Sequence, residues 1–380
     1  MAAWMYWTSN LPYFPAVLYF AASNLLFMRE SAHGHLGASP AFFMLFALAM
    51  LALATVMNLV GLDVGKWLHN AGALAMWGPV AIAVIMGIAA WRSYGSATQF
   101  TWATMTPRLG MHQIITWSVL TFAFGGSETA SFMGGEIRNP RRNLPLGLLI
   151  AGITVASSYI IGTISLLLAL PHERINGLEG LMQAISLTGH RLGWTAVIPL
   201  AAFLIALSNV GAAGAFLAAT SRLPFVAGID KFLPASFGRL HPRWKTPRAA
   251  ILTNAGLGAV FIVLGQAGTS VKGAYDVLVS MGVITYFIPY LYVFAAMIRL
   301  QREPAGPEVI RVPGGTPMAR LVASVGFTVT LMVIAVSLLP PPDEPNPLLA
   351  VLKILGLSGA LVALGAAVYL AGRKHAAGTS

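Results

Sequence analysis

The sequence predicts an all-α polytopic membrane protein of about ten transmembrane helices, and three observations carry that reading. Apolar residues make up 57% of the 380 positions and charged residues only 9%, whereas soluble domains average about 25% charged. The chain contains ten apolar runs, each near the roughly 20 residues a helix needs to cross a bilayer. The Lys and Arg residues fall unevenly on the two sides those runs define.

In chain order the runs are 4–28, 41–61, 67–91, 113–136, 145–170, 195–221, 248–266, 274–298, 317–339 and 348–371, in a single membrane domain over 1–380. They are too long for barrel strands, and a helix is the open-chain structure that satisfies its own backbone in lipid. The first run follows Met1 with no basic segment and no small-residue cleavage site, so it is not a secretory signal. Asn139-Pro140 and Asn143-Leu144-Pro145 stop the fourth run and start the fifth. The sixth carries a small-residue face, Ser208, Gly211, Ala212, Gly214, Ala215 and Ala218, with Phe216 as its bulky exception; such faces let helices approach closely. Thr220-Ser221 closes that run with hydroxyls suited to backbone bonding, a sodium ion being the other use. Pro289 kinks the eighth run, and the proline-rich 340–347 separates the last two.

Sixteen of the 23 Lys and Arg residues lie on the side that holds both termini, which places the termini and the loops 137–144, 222–247 and 299–316 in the cytoplasm. The net charge of +11 is therefore topological, and no nucleic-acid partner is expected. With no cysteine in the chain, disulfides, thiol nucleophiles and cysteine metal clusters are excluded. No metalloprotease, nucleophile-elbow or phosphate-loop motif is present, so the reading is not an enzyme and needs no cofactor.

Of the 12 Asp and Glu residues, eleven fall in loops or near the end of a run, and Glu128 alone lies well inside one. An unpaired acid there costs on the order of 2.5–3.5 kcal/mol, which makes it a functional candidate by default; the alternative is a protonated Glu bonded to a neighbouring helix carbonyl. Just before it, Phe122-Ala123-Phe124-Gly125-Gly126 places two glycines in mid-run. Each costs about 1 kcal/mol of helix stability against Ala, so helical bonding is expected to lapse near Phe124–Ser127. Interrupted spans free backbone groups for substrate in transporters.

These residues also carry a family resemblance. Phe122-Ala-Phe-Gly-Gly-Ser-Glu128, the following Gly-Gly-Glu-Ile-Arg-Asn-Pro-Arg-Arg-Asn-Leu-Pro145, Thr220-Ser-Arg-Leu-Pro-Phe-Val-Ala-Gly-Ile-Asp-Lys-Phe-Leu-Pro234 and His241-Pro-Arg-Trp-Lys-Thr-Pro247 are similar to the amino acid–polyamine–organocation permeases, and within them to bacterial amino-acid antiporters. The resemblance covers nearly the whole chain. Counting from these anchors assigns the ten runs to the family's helices three to twelve and leaves its first two without a counterpart, an incomplete leucine-transporter-type inverted-repeat fold.

The resemblance implies secondary active transport of an amino acid or related amine by alternating access, in a bacterial cytoplasmic membrane and coupled to an ion, proton or sodium. A non-transporting truncated remnant or membrane scaffold is the alternative. It implies Phe122 as an aromatic gate, the backbone of Phe122, Ala123, Phe124, Gly125 and Gly126 as the substrate cradle, Asn10 as a nearby hydrogen-bonding group and Phe216 as the floor. Glu128 is implied as the coupling residue. The deep lysine that replaces sodium in some relatives has no equivalent in run 67–91, where Lys66 lies at the edge.

Overall fold

A computed structural model describes residues 2–29, 36–106, 110–126, 128–130, 137–171, 179–230, 232–266, 271–301, 303, 312–339 and 346–377. They form helices, with no strand among the described residues. In chain order these are α1 (Ala2–Leu25), α2 (Pro40–Val60), α3 (Leu62–Tyr94), α4 (Met111–Ala123), α5 (Pro140–Ala169), α6 (Gly180–Leu192), α7 (Val197–Thr220), α8 (Arg222–Ile229), α9 (Arg248–Gln266), α10 (Val271–Leu300), α11 (Gly315–Ser337) and α12 (Pro347–Ala377). Trp102–Met105 adds a single turn. Nine of these stretches, counting α7 and α8 together, are long and apolar enough to cross a membrane.

Helix boundaries follow local chemistry. Ser39 caps α2 by accepting from the Phe42 N–H at 3.3 Å, with Pro40 in the first turn where its missing N–H costs nothing. Two stretches outside the expected runs form helices instead. Gly180–Leu192 is α6, whose mixed polarity kept it from registering as an apolar run, and α8 continues from α7 into the loop expected over 222–247. Within the expected fourth run over 113–136 the described helix is the 13-residue α4, which stops at Ala123, and residues 131–136 lie outside the described ones. Ser127, the Gly134-Gly135 pair and most of the proline-rich connection before α12 lie outside the described residues.

Contacts group the chain into two compact units. One comprises Met1–Asn10, Leu109–Ala123 and Asp276–Ser380. In it α4 packs on α11, where Ser337 donates to Ser118 at 3.3 Å. Trp4 of α1 donates its indole N–H to the Leu361 carbonyl of α12 at 3.1 Å, and its ring fills the space left by the missing side chain of Gly365.

The other unit comprises Leu11–Arg108 and Phe124–Tyr275. Its most extensive contact joins α3 and α7. At their crossing Gly72 faces Gly211, and a Cβ built on either would lie 2.7 Å from the Cα of the other. The small face of α7 is thus used for backbone approach, where van der Waals packing supplies the attraction that lipid cannot. Below the crossing, Ala83, Met86, Met182, Ile185, Ile198, Ala201, Ala202 and Ile205 form a buried core among α3, α6 and α7. Buried polar groups tie neighbours together: Tyr19 donates to the Ile262 carbonyl at 2.9 Å, Asn58 to the Gly214 carbonyl at 3.0 Å, and Asn254 to Thr220 Oγ1 at 2.9 Å.

Candidate functional site

The interruption after α4 is built from local sequence. Phe124 turns out of the helix, Gly125 and Gly126 follow in irregular backbone, and residues 128–130 form a 3₁₀ turn. Gly126 has φ +102°, a conformation that costs a residue with a Cβ about 1–2 kcal/mol and glycine almost nothing. Its N–H donates to Glu128 Oε2 at 3.0 Å; in an unbroken helix that N–H would serve the carbonyl of Phe122. Thr129 closes the turn, its N–H donating to the Gly126 carbonyl at 3.2 Å and its hydroxyl donating there too. Glu128 is half-buried. One of its oxygens accepts from a backbone N–H of its own turn.

Aromatic rings surround this turn in the same unit. Phe216 of α7 covers Gly126 so closely that a Cβ there would lie 3.2 Å from the ring edge. Tyr13 of α1 tilts against Phe216 with centroids 4.7 Å apart, and Phe124 meets Tyr159 of α5 edge-on at 5.0 Å. A carboxylate, irregular backbone and aromatic faces together suit an ammonium group. Carboxylate and carbonyl oxygens accept its hydrogen bonds, and aromatic faces attract a cation by roughly 0.5–2 kcal/mol.

The other unit holds a second aromatic cluster. Phe122 stands edge-on to Tyr286 of α10, with centroids 5.2 Å apart at 84°, and its ring faces Gly282. Tyr6 also contacts Tyr286, at 5.7 Å, and the Tyr286 and Tyr290 hydroxyls are 2.8 Å apart. Asn10 is buried and donates to the Tyr6 carbonyl of its own helix at 2.8 Å.

The structure therefore gathers Gly126, Glu128 and Phe216 in one unit, with Phe124 turned to Tyr159 and Gly125 exposed between them. Ala123 ends α4 in the other unit, where Phe122 and Asn10 lie with Tyr6 and Tyr286. Tyr13, Tyr159 and Tyr286 were not singled out from the sequence. The signal for all three is a phenol well inside an apolar run, where a hydroxyl must be satisfied or used. Among the described residues no group of three metal-ligating side chains occurs.

Long apolar helices, with a shorter one that ends at a glycine pair beside a carboxylate, fit a polytopic membrane protein of the transporter class. A family model described as amino acid permease matches residues 1–358, and the chain belongs to this family. It is 25% identical over 354 residues to an uncharacterized transporter of Legionella pneumophila, covering 90% of this chain and 74% of that protein. It is 24% identical over 341 residues to a probable agmatine/putrescine antiporter of Lactococcus lactis, covering 86% and 71%. To the glutamate/gamma-aminobutyrate antiporter of L. lactis it is 25% identical over 228 residues, covering 58% of this chain and 44% of that protein.

Proposed function

We propose that this chain carries out secondary active transport of an amino acid or related amine by alternating access across a bacterial cytoplasmic membrane. The observation that carries the reading is the turn at Gly125-Gly126, where a φ of +102° folds the Glu128 carboxylate back onto the Gly126 N–H beneath Phe216. Family membership and antiporter relatives support it. In this reading the backbone of Phe124–Gly126 takes the substrate's ammonium group, with Phe216 of the same unit as its floor.

Glu128 serves as the coupling group. It exchanges the Gly126 N–H for substrate or a proton as the turn rearranges between inward- and outward-open states. Glu128→Gln keeps a side-chain oxygen for the Gly126 N–H while removing the carboxylate. In proteoliposomes loaded with unlabelled substrate and offered labelled agmatine, putrescine, glutamate or γ-aminobutyrate, the wild-type protein is expected to exchange at least one of these compounds with a pH-dependent rate. The Gln variant is expected to fold normally and exchange with a flattened pH profile. A profile identical to wild type overturns the coupling role, and no exchange of any amine or amino acid by folded wild-type protein overturns the transport reading in favour of a scaffold.

A further inference from the structure

The second unit contains a crevice away from the interrupted turn, where the C-terminal ends of α3 and α5 meet α6. Its cavity of about 90 Å³ is lined by, among others, Tyr94, Gly95, Leu168, Thr188 and Arg191. We propose that it binds the phosphate group of an anionic phospholipid, with Arg191 and Thr188 as the recognising side chains.

Two polar groups in this crevice are not accounted for by the fold. Thr188 is only 2% exposed, and its Oγ1 is buried with no hydrogen-bond partner. A buried hydroxyl left this way is costly, and Thr188 lines the cavity. The Arg191 guanidinium is solvent-facing, and no partner for it occurs among the described residues. Its backbone is fixed instead, since the Tyr94 hydroxyl donates to the Arg191 carbonyl at 2.7 Å. Arg191 sits in the last turn of α6, where a cation favours the helix dipole. That explains an arginine at this position but not the cavity or the unpaired hydroxyl next to it. By the charge count of the sequence this is also the side with seven of the 23 basic residues, so the rule that concentrates them on the other side does not explain it either.

Hydrogen bonds join the segment after α3 to the end of α5. The Ala97 N–H donates to the Leu168 carbonyl at 3.0 Å, and Thr98 Oγ1 donates to the Leu170 carbonyl at 3.4 Å. Gly95 leaves its side of the crevice open, because a Cβ there would meet nothing within 4 Å. Thr188 and Arg191, three residues apart on α6 and both lining the crevice, offer a hydroxyl and a guanidinium to one tetrahedral oxyanion, and arginine binds phosphate in a two-pronged fashion. The surroundings select the lipid as its source. Trp91, Tyr94, Trp102 and Trp194 are 51%, 61%, 89% and 41% exposed around these helix ends, the residue types that belt a protein at the level of lipid headgroups.

The test is lipid retention by the full chain. Protein in nanodiscs of phosphatidylcholine with a minor fraction of phosphatidylglycerol would be extracted, and the bound lipid counted by native mass spectrometry. Wild-type protein is expected to enrich phosphatidylglycerol, Arg191→Gln to lose that enrichment by about tenfold and Thr188→Val by a few-fold, as expected for charged and neutral hydrogen bonds. Arg92→Gln, which removes a nearby exposed charge that does not line the cavity, is expected to match wild type. If Arg191→Gln does not fold, the comparison of Thr188→Val with wild type decides. Equal retention in wild type and both cavity variants overturns the site. Displacement of the lipid by millimolar inorganic phosphate from wild type, as effectively as by excess phosphatidylglycerol, overturns the lipid assignment in favour of a free oxyanion.

Discussion

Both α7 and the segment that follows α4 carry closely spaced glycines, Gly211 and Gly214 in the first and Gly125 and Gly126 in the second, yet α7 runs unbroken for 24 residues while α4 ends after 13. The difference lies in what occupies the space each missing side chain leaves. Against Gly211 stands the backbone of Gly72, at a distance no Cβ tolerates. The cost of glycine in the helix is offset there by backbone-to-backbone contact along the α3–α7 crossing. At Gly126 the backbone has left the helical region altogether, and what lies over it is the ring edge of a side chain, Phe216, and not a backbone. One pair of glycines holds two helices together, and the other opens one helix.

The comparison ranks the consequences of adding a single methyl group. Gly211→Ala is expected to have the largest effect, because its Cβ would lie 2.7 Å from the Gly72 Cα and 2.9 Å from the Leu68 carbonyl oxygen, backbone atoms that cannot step aside. A loss of about 3 kcal/mol, the upper part of the range for overpacking, would appear as a fall in melting temperature in detergent. The double variant with Gly72→Ala should lose much less than the sum, since both methyls press on one contact. An additive result would separate the two glycines and break the crossing as the explanation.

Gly126→Ala comes next. Its positive φ makes alanine strained by about 1–2 kcal/mol, and the 3.2 Å approach to Phe216 is met by a ring that can shift a few tenths of an ångström. Stability should therefore drop less than in Gly211→Ala. A fall as large as that of Gly211→Ala would mean the turn is as tightly packed as the crossing.

The smallest effect is expected at Gly152, in the lipid-exposed run of α5, where an added Cβ meets nothing within 4 Å. With neither packing nor a turn to serve, Gly152→Ala should raise the melting temperature, by an amount corresponding to about 0.5–1 kcal/mol. A decrease would show that this glycine, too, has a use.

Much of this contrast could be read in the sequence, and the physical reasons mark where it stops. The all-α membrane class follows from composition and from the length of the apolar runs, because a bilayer imposes both. The lapse near Phe124 follows from adjacent glycines, a local property. The direction in which Glu128 turns does not, since it depends on the φ of Gly126. Nor does the pairing of Phe216 with Tyr13 or of Phe122 with Tyr286, which joins residues more than 160 positions apart. The partner of Gly211 is equally hidden: a small-residue face announces that something will approach it and leaves open that Gly72 does. α6 escaped notice because 13 residues of mixed polarity look like a loop to any reading that searches for spans.

The measurement that bears most directly on the account is the exchange rate of Gly126→Ala against Gly152→Ala in proteoliposomes, normalised to folded protein. If the turn at Gly126 is where transport happens, Gly152→Ala exchanges at the wild-type rate, while Gly126→Ala remains folded and loses about tenfold or more, the equivalent of about 1.4 kcal/mol in the working geometry of the turn. Equal rates for the two variants would contradict the account, leaving the glycine pair after α4 an interruption with no part in transport.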